Sequence, residues 1–258
     1  MERKTAILVD GGFYRRRAQA LFGNKTAEER AYEMVSYCKR HLTADHSEKR
    51  DLYRIFYYDC PPISKKLYHP LLKKQIDFGK SDLYIWMTEF LECLKKKRKV
   101  ALRLGLLADE QAHYSIRYDT IKKLCAGTKG IDDLTGLDFE LALDQKGVDM
   151  KIGLDIASMS YKCQVNQIIL ISGDSDFVPA AKLARREGID FILDPMWNPI
   201  KSNLSEHIDG LHTCCIRPDT NGTQKPGHPS SDAETVSEQY LGTDGTEMTP
   251  ATPERGTV

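Results

Sequence analysis

A chain of 258 residues, 41% hydrophobic and 29% charged, is long enough to bury a core, and it contains no run near the roughly 20 apolar residues that span a bilayer. With no signal-like apolar segment at the start and seven cysteines at irregular spacing, a cytoplasmic protein is expected, with reduced, mostly buried thiols rather than zinc ligands. The formal net charge of +0 hides an asymmetry: two basic and seven acidic residues lie from Asp219 onward, leaving 35 basic and 30 acidic before it, a surplus that permits a polyanionic partner.

Residues 5–10 form a short apolar run that ends in Asp10 before Gly11 and Gly12, which predicts a buried strand stopping at a tight turn. Helical patterns follow over residues 13–21 and 27–42. Residues 51–59 are aromatic and β-branched and halt at Pro61 and Pro62, predicting a second strand. A helix over 82–97, a basic run from Lys95 to Lys99, a short strand over 100–104 and an irregular connection fit a simple α/β unit less well, and predict an insertion at about 80–131. Then come a helix over 148–163, a strand over 167–172 stopping at Gly173, a helix over 176–187 closed by Gly188, and a strand over 189–193 stopping at Pro195. Strands alternating with helices predict an α/β domain over residues 1–217 with a mainly parallel sheet. Residues 218–258, rich in Thr, Gly, Pro, Ser and acids, are expected to form a disordered acidic tail.

Open parallel sheets bind ligands beyond the carboxyl ends of their strands. Asp10 ends the first strand, Asp174 and Asp176 sit in the turn after the third, and Asp149 lies in the first turn of the helix leading into it. Each has an alternative duty: Asp149 and Asp176 are placed to cap helices, whereas Asp174 is surplus to that need because one acid suffices. Converging carboxylates repel one another unless a cation offsets them, which points to Mg²⁺ or Mn²⁺ and to metal-assisted hydrolysis of a phosphodiester. Lys146, Arg15 and Arg16, with Arg17 and the run Lys95 to Lys99, offer phosphate contacts or are solvated surface charge. Phe13, Tyr14 and Phe177 either stack on unpaired bases or pack inside. Ser172 is a supporting residue, and Asp155, about 240° around a helix from Asp149, is supporting or structural.

Four stretches occur in a telling order: Ile-Leu-Val-Asp-Gly-Gly-Phe at 7–13, Phe-Tyr-Tyr-Asp-Cys-Pro-Pro at 56–62, Lys146-Gly147-Val148-Asp149 with Leu154-Asp155, and Ser-Gly-Asp-Ser-Asp-Phe at 172–177. Together they resemble the NYN domain family, PIN-like predicted ribonucleases, in its bacterial LabA-like form, over about residues 1–215. The resemblance implies a PIN-like three-layer sandwich with helices on both faces of the sheet, a Mg²⁺- or Mn²⁺-dependent acidic site, and cleavage of RNA. It assigns Asp10, Asp149 and Asp174 to the metal-site acids, Asp176 to an additional acid in the same turn, and Asp155 to the acid of the motif's helix. Many PIN-like relatives carry Asn three residues after the first Asp; here Phe13 stands there, and a polar orienting group is lost. The expected function is a divalent-metal-dependent endoribonuclease or RNA-processing enzyme acting on single-stranded RNA, with a homo-oligomer compatible. The alternative is a catalytically weak or inactive RNA-binding or regulatory module using the same site. A haloacid-dehalogenase-type phosphatase is disfavoured, because Gly11 and Gly12 follow Asp10 where that chemistry usually places a second acid two residues on.

Overall fold

In the computed structural model, which describes residues 3–43, 50–143 and 145–218, the chain begins with β1 (Arg3–Asp10), α1 (Gly11–Phe22), α2 (Ala27–Arg40) and β2 (Arg50–Asp59). A hairpin of β3 (Lys66–His69) and β4 (Lys74–Asp77) precedes α3 (Asp82–Lys95) and β5 (Val100–Leu104). An excursion then contains β6 (Leu106–Leu107), β7 (His113–Ile116), α4 (Tyr118–Cys125), β8 (Phe139–Ala142) and β9 (Gln145–Lys146). The chain returns through α5 (Val148–Tyr161), β10 (Gln167–Ile171), α6 (Val178–Arg186), β11 (Asp190–Asp194), α7 (Ser202–Ser205) and β12 (Gly210–Leu211). The expected disordered tail falls outside the described residues, apart from Pro218.

Six strands form one wholly parallel sheet in the order β12-β11-β10-β1-β2-β5. Its strands read as unbroken apolar runs because both faces are covered, as all-parallel sheets require. Alternate residues serve opposite sides: Ile7, Val9, Ile55, Tyr57, Ile169 and Ile171 pack with residues of α1, α2 and α3. Ala6, Leu8, Phe56, Tyr58, Ile168 and Leu170 pack with residues of α5, α6 and α7. The result is a three-layer sandwich with two cores separated by the sheet.

The chain order fixes where the ligand crevice opens. From β1 the chain moves outward through β2 to β5, then crosses back to place β10 on the other side of β1 and moves outward through β11 to β12. The direction of winding therefore reverses between β1 and β10, the topological switch point at which such sheets bind ligands. α3 and β5 belong to this layered sheet, so the departure from it begins after Leu104. It closes where β6 pairs antiparallel with β9, Leu106 opposite Lys146. Within it β7 and β8 form a second antiparallel pair, joined through α4.

Local chemistry sets the ends. Thr26 and Glu29 form a reciprocal capping box at the start of α2. α5 stops at Tyr161, two residues before Cys163 turns left-handed at φ 48°. The helix expected from residue 176 begins instead as a short 3₁₀ turn, Ser175–Phe177, and becomes α-helical at Val178 with Pro179 in its first turn. No helix among the described residues is long and apolar enough to cross a membrane.

Candidate functional site

Asp10 is the last residue of β1 and the N-cap of α1, so one side chain both ends the strand and starts the helix. Its Oδ1 accepts the Phe13 backbone N–H at 3.0 Å, and its Oδ2 accepts the Ser172 hydroxyl at 3.1 Å. Pairing of Val9 with Ile171 sets Ser172 beside Asp10 across the switch point. Ser172 is fully buried, and its oxygen in turn accepts the Asp174 backbone N–H at 3.3 Å. One hydroxyl therefore ties Asp10 to the Asp174 turn.

In that turn Asp174, not Asp176, is the capping residue: its Oδ1 accepts the Asp176 N–H at 3.0 Å. The expectation that Asp176 caps and Asp174 is surplus is thus corrected. The exposed Asp176 side chain is left to project from the turn. Gly173 is required by close approach, since a Cβ there would lie 2.8 Å from the Phe13 ring and 3.0 Å from Asn198 Nδ2. Phe13, 8% exposed, packs over this glycine.

Asp149 stands in the first turn of α5, whose N-cap is left-handed Gly147 (φ 82°) with no side-chain cap hydrogen bond. Burial and then the charges of Asp10, Asp174 and Asp176 hold the Asp149 carboxyl above its ordinary range. Asp10 is also raised, first by burial and in smaller part by Asp174, while the Phe13 and Ser172 hydrogen bonds and the Arg16 charge pull it down. All four expected acids are thus brought to one electrostatic neighbourhood from three segments of chain.

The remaining expected residues divide. Arg16 is exposed and close enough for its charge to act on Asp10, and Lys146 is exposed on β9. Arg15 is engaged by Asp59 and by the Tyr57 hydroxyl beneath the site. Arg17 spends its guanidinium on the Met196 carbonyl, at 3.1 and 2.6 Å. Asp155 accepts from the Tyr58 hydroxyl at 2.8 Å and from Arg103 Nε at 2.9 Å, a structural pairing. The run Lys95 to Lys99 leads into β5 from its amino end, about 16 Å short of the strand's carboxyl end. It lies at the opposite end of the strands from the acids. Tyr14 and Phe177 are 0% and 2% exposed and Phe13 is nearly so; these aromatics are core, which overturns the base-stacking alternative for them.

Sequence reasoning missed Asp59, although it ends β2 as Asp10 ends β1. Buried to 2% exposure, it accepts from Tyr57 at 2.8 Å and from the Cys60 N–H at 2.8 Å and pairs with Arg15. It also missed Lys151, which reaches the Leu104 carbonyl at the mouth of the excursion.

The oxygen-only donor set suits a hard divalent cation. The four carboxylates spread more widely than one coordination sphere, for the single group of three ligand atoms within 4.8 Å among the described residues lies elsewhere. A Mg²⁺-type ion binds through one or two carboxylates and retains several waters, so it does not require three of these acids in one coordination sphere.

The fold is thus a parallel three-layer α/β domain with four aspartates gathered near its switch point. Residues 80–206 match the model of the NYN domain family, and the chain carries an NYN domain there. NYN domains are generally nucleases, and NYN and PIN-like nucleases typically use divalent metals. The matched span includes Asp149, Asp174 and Asp176 and begins beyond Asp10. No curated protein matches the chain. Among solved structures, a protein of unknown function from Vibrio parahaemolyticus is similar at 15% identity, over 81% of this chain and 91% of that one, with a TM-score of 0.40.

Proposed function

We propose that this NYN domain is a divalent-metal-dependent ribonuclease that hydrolyses phosphodiester bonds in RNA, with Asp10, Asp149, Asp174 and Asp176 as the metal-holding acids. The observation that carries the reading is Asp149: no side-chain bond caps α5, and its carboxyl is raised first by burial and then by the charges of Asp10, Asp174 and Asp176. A like-charge assembly of this kind is destabilising by itself and is retained where a cation or phosphate chemistry uses it. When bound, Mg²⁺ or Mn²⁺ supplies Lewis-acid stabilisation of the phosphate and a nucleophilic water at neutral pH.

The chain's own residues do the positioning. Phe13 N–H and Ser172 Oγ–H fix both oxygens of Asp10, and the N–H of Asp176 fixes one oxygen of Asp174. Arg16, exposed near Asp10, and Lys146, exposed two residues before Val148, are the cations available to backbone phosphates of a single strand. Asp59, by engaging Arg15, holds the floor of the turn rather than taking part in chemistry.

A specific observation favours a second reading, binding of RNA without turnover: Phe13, at the position where the family resemblance implies a polar residue, packs its ring over Gly173. Purified protein incubated with a mixed RNA pool in Mn²⁺, with EDTA as control, separates the two. Metal-dependent cleavage that disappears in folded Asp10→Asn and Asp174→Asn variants supports the nuclease. Cleavage retained in both variants refutes the assignment, and RNA retention without cleavage supports the second reading.

A further inference from the structure

Away from the aspartates, a second constellation gathers at the carboxyl end of β11. His41, the C-cap of α2, and His212 and Cys214, just beyond β12, each present a ligand atom within 4.8 Å of the other two. They come from opposite ends of the described chain. The rings of His41 and His212 meet edge to face, with centroids 5.5 Å apart.

The surroundings orient this group. Asp194 is fully buried and accepts four hydrogen bonds: from Tyr37 Oη at 2.5 Å, His41 Nε2 at 2.8 Å, the Met196 N–H at 2.8 Å and Thr213 Oγ1 at 2.9 Å. An ionised carboxylate only accepts, so Nε2 of His41 carries the proton and Nδ1 keeps its lone pair. A carboxylate that fixes the tautomer and direction of a histidine is the usual outer support of a metal-bound imidazole. The His212 backbone N–H donates to the Leu193 carbonyl at 3.0 Å, holding this segment along β11.

We propose that His41, His212 and Cys214 form a binding site for a Zn²⁺-class cation, independent of the aspartate cluster. Two imidazoles and one thiolate are borderline-soft donors in the combination that zinc takes, at a spacing that small rotamer changes close to a single ion. The fourth position falls to water or to the neighbouring thiol of Cys215. The ion would fasten the segment after β12, which pairs with β11 over only two residues, to the end of α2. Zinc suits this better than Mg²⁺, which prefers oxygen ligands.

The test uses the full chain, stripped with chelator, loaded with one equivalent of Zn²⁺, desalted and assayed by elemental analysis, with circular dichroism to confirm the fold. Wild type and Asp174→Asn should retain about one equivalent, and His212→Ala and Cys214→Ser should lose it. Both substituted side chains are only partly buried, so folded variants are expected; Cys125→Ser, an exposed thiol far away in sequence, is the control. Co²⁺ provides a second readout, since a thiolate-to-metal charge-transfer band should appear in wild type and vanish in Cys214→Ser. Failure of the wild type to retain zinc, or equal retention by His212→Ala and Cys214→Ser, overturns the proposal. Loss on Asp174→Asn alone would assign the ion to the aspartates and overturn it as well.

Discussion

Two adjacent glycines in the turn after β1 should respond to the same substitution with opposite signs. A Cβ on Gly11 would sit 2.5 Å from Asp59 Oδ2 and 2.6 Å from both Cζ and Oη of Tyr57. Tyr57 is fully buried and Asp59 2% exposed, so neither has room to retreat. Overpacking of this kind costs about 1–3 kcal/mol, and disturbing the hydrogen bonds of a buried carboxylate adds about 1–2 kcal/mol. Gly11→Ala should therefore lose about 2–5 kcal/mol, a fall in Tm of roughly 4–20 °C for a domain of this size. At Gly12 the nearest atom to a new Cβ is Asp10 Oδ1 at 3.6 Å, an ordinary contact. Gly12→Ala, in the first turn of α1, should be neutral or stabilising by up to about 1 kcal/mol. Urea unfolding monitored by circular dichroism measures both. Gly11→Ala proving as stable as Gly12→Ala would refute the packing argument for the floor of the site. The same variant should weaken Mn²⁺ binding, because Asp10 immediately precedes the displaced turn.

Further outcomes follow from the charges and the buried network. Asp149→Asn should abolish the thermal stabilisation that Mn²⁺ gives wild type, about 2.7 kcal/mol at a hundredfold excess over Kd, while leaving the metal-free protein no less stable; thermal melts with and without Mn²⁺ check this. Asp10 and Asp149 are both held above their ordinary 3.8, so the folded state binds their protons more readily than the unfolded chain does. Stability of the metal-free protein should accordingly fall as pH rises from about 4 through the raised values, and saturating Mn²⁺ should flatten that slope. Urea midpoints across the range that rise with pH in the absence of metal would contradict this. Asp194→Ala strands Tyr37, His41, Thr213 and the Met196 N–H together and should cost about 3–5 kcal/mol, read as a drop in urea midpoint at constant m-value.

Much of the sheet was legible because its strands are buried on both faces and end in recognisable punctuation. β1 stops at Asp10-Gly11-Gly12, β2 at Pro61-Pro62 and β10 at Gly173, so strand ends and site acids could be read together. The short antiparallel pairs were not, since strands of four residues with mixed exposure carry too few repeats to show a period. β12, with two residues, has none. Asp174 and Asp176 could be located in one turn but not told apart: which carboxylate reaches back to a free N–H depends on backbone angles, not composition. Asp59 carried the same strand-ending signal as Asp10 and was passed over because prolines, not glycines, follow it closely. His41 lies 171 residues from His212, and only the return of β11 and β12 beside α2 brings them together. Irregular cysteine spacing, which argued against zinc, says nothing about a pair of histidines completing the set.

The excursion between β5 and α5 leaves and returns through a single doorway. Leu106 pairs with Lys146, and a Cβ on Gly105 would touch the Lys146 carbonyl at 2.8 Å, so the two jambs stand against each other a few residues from Asp149. Beyond that base the excursion also rests on the β3–β4 hairpin and the turn after it, through ring contacts of Tyr114 and Phe139 with His69 and of Tyr114 with Phe78, while doubling a loop's length costs only about 0.6 kcal/mol of closure entropy. Changes within the excursion that keep Tyr114 and Phe139 should leave both these contacts and the sheet in place. The excursion and the β3–β4 hairpin therefore vary as one unit, apart from the strand ends that hold the acids.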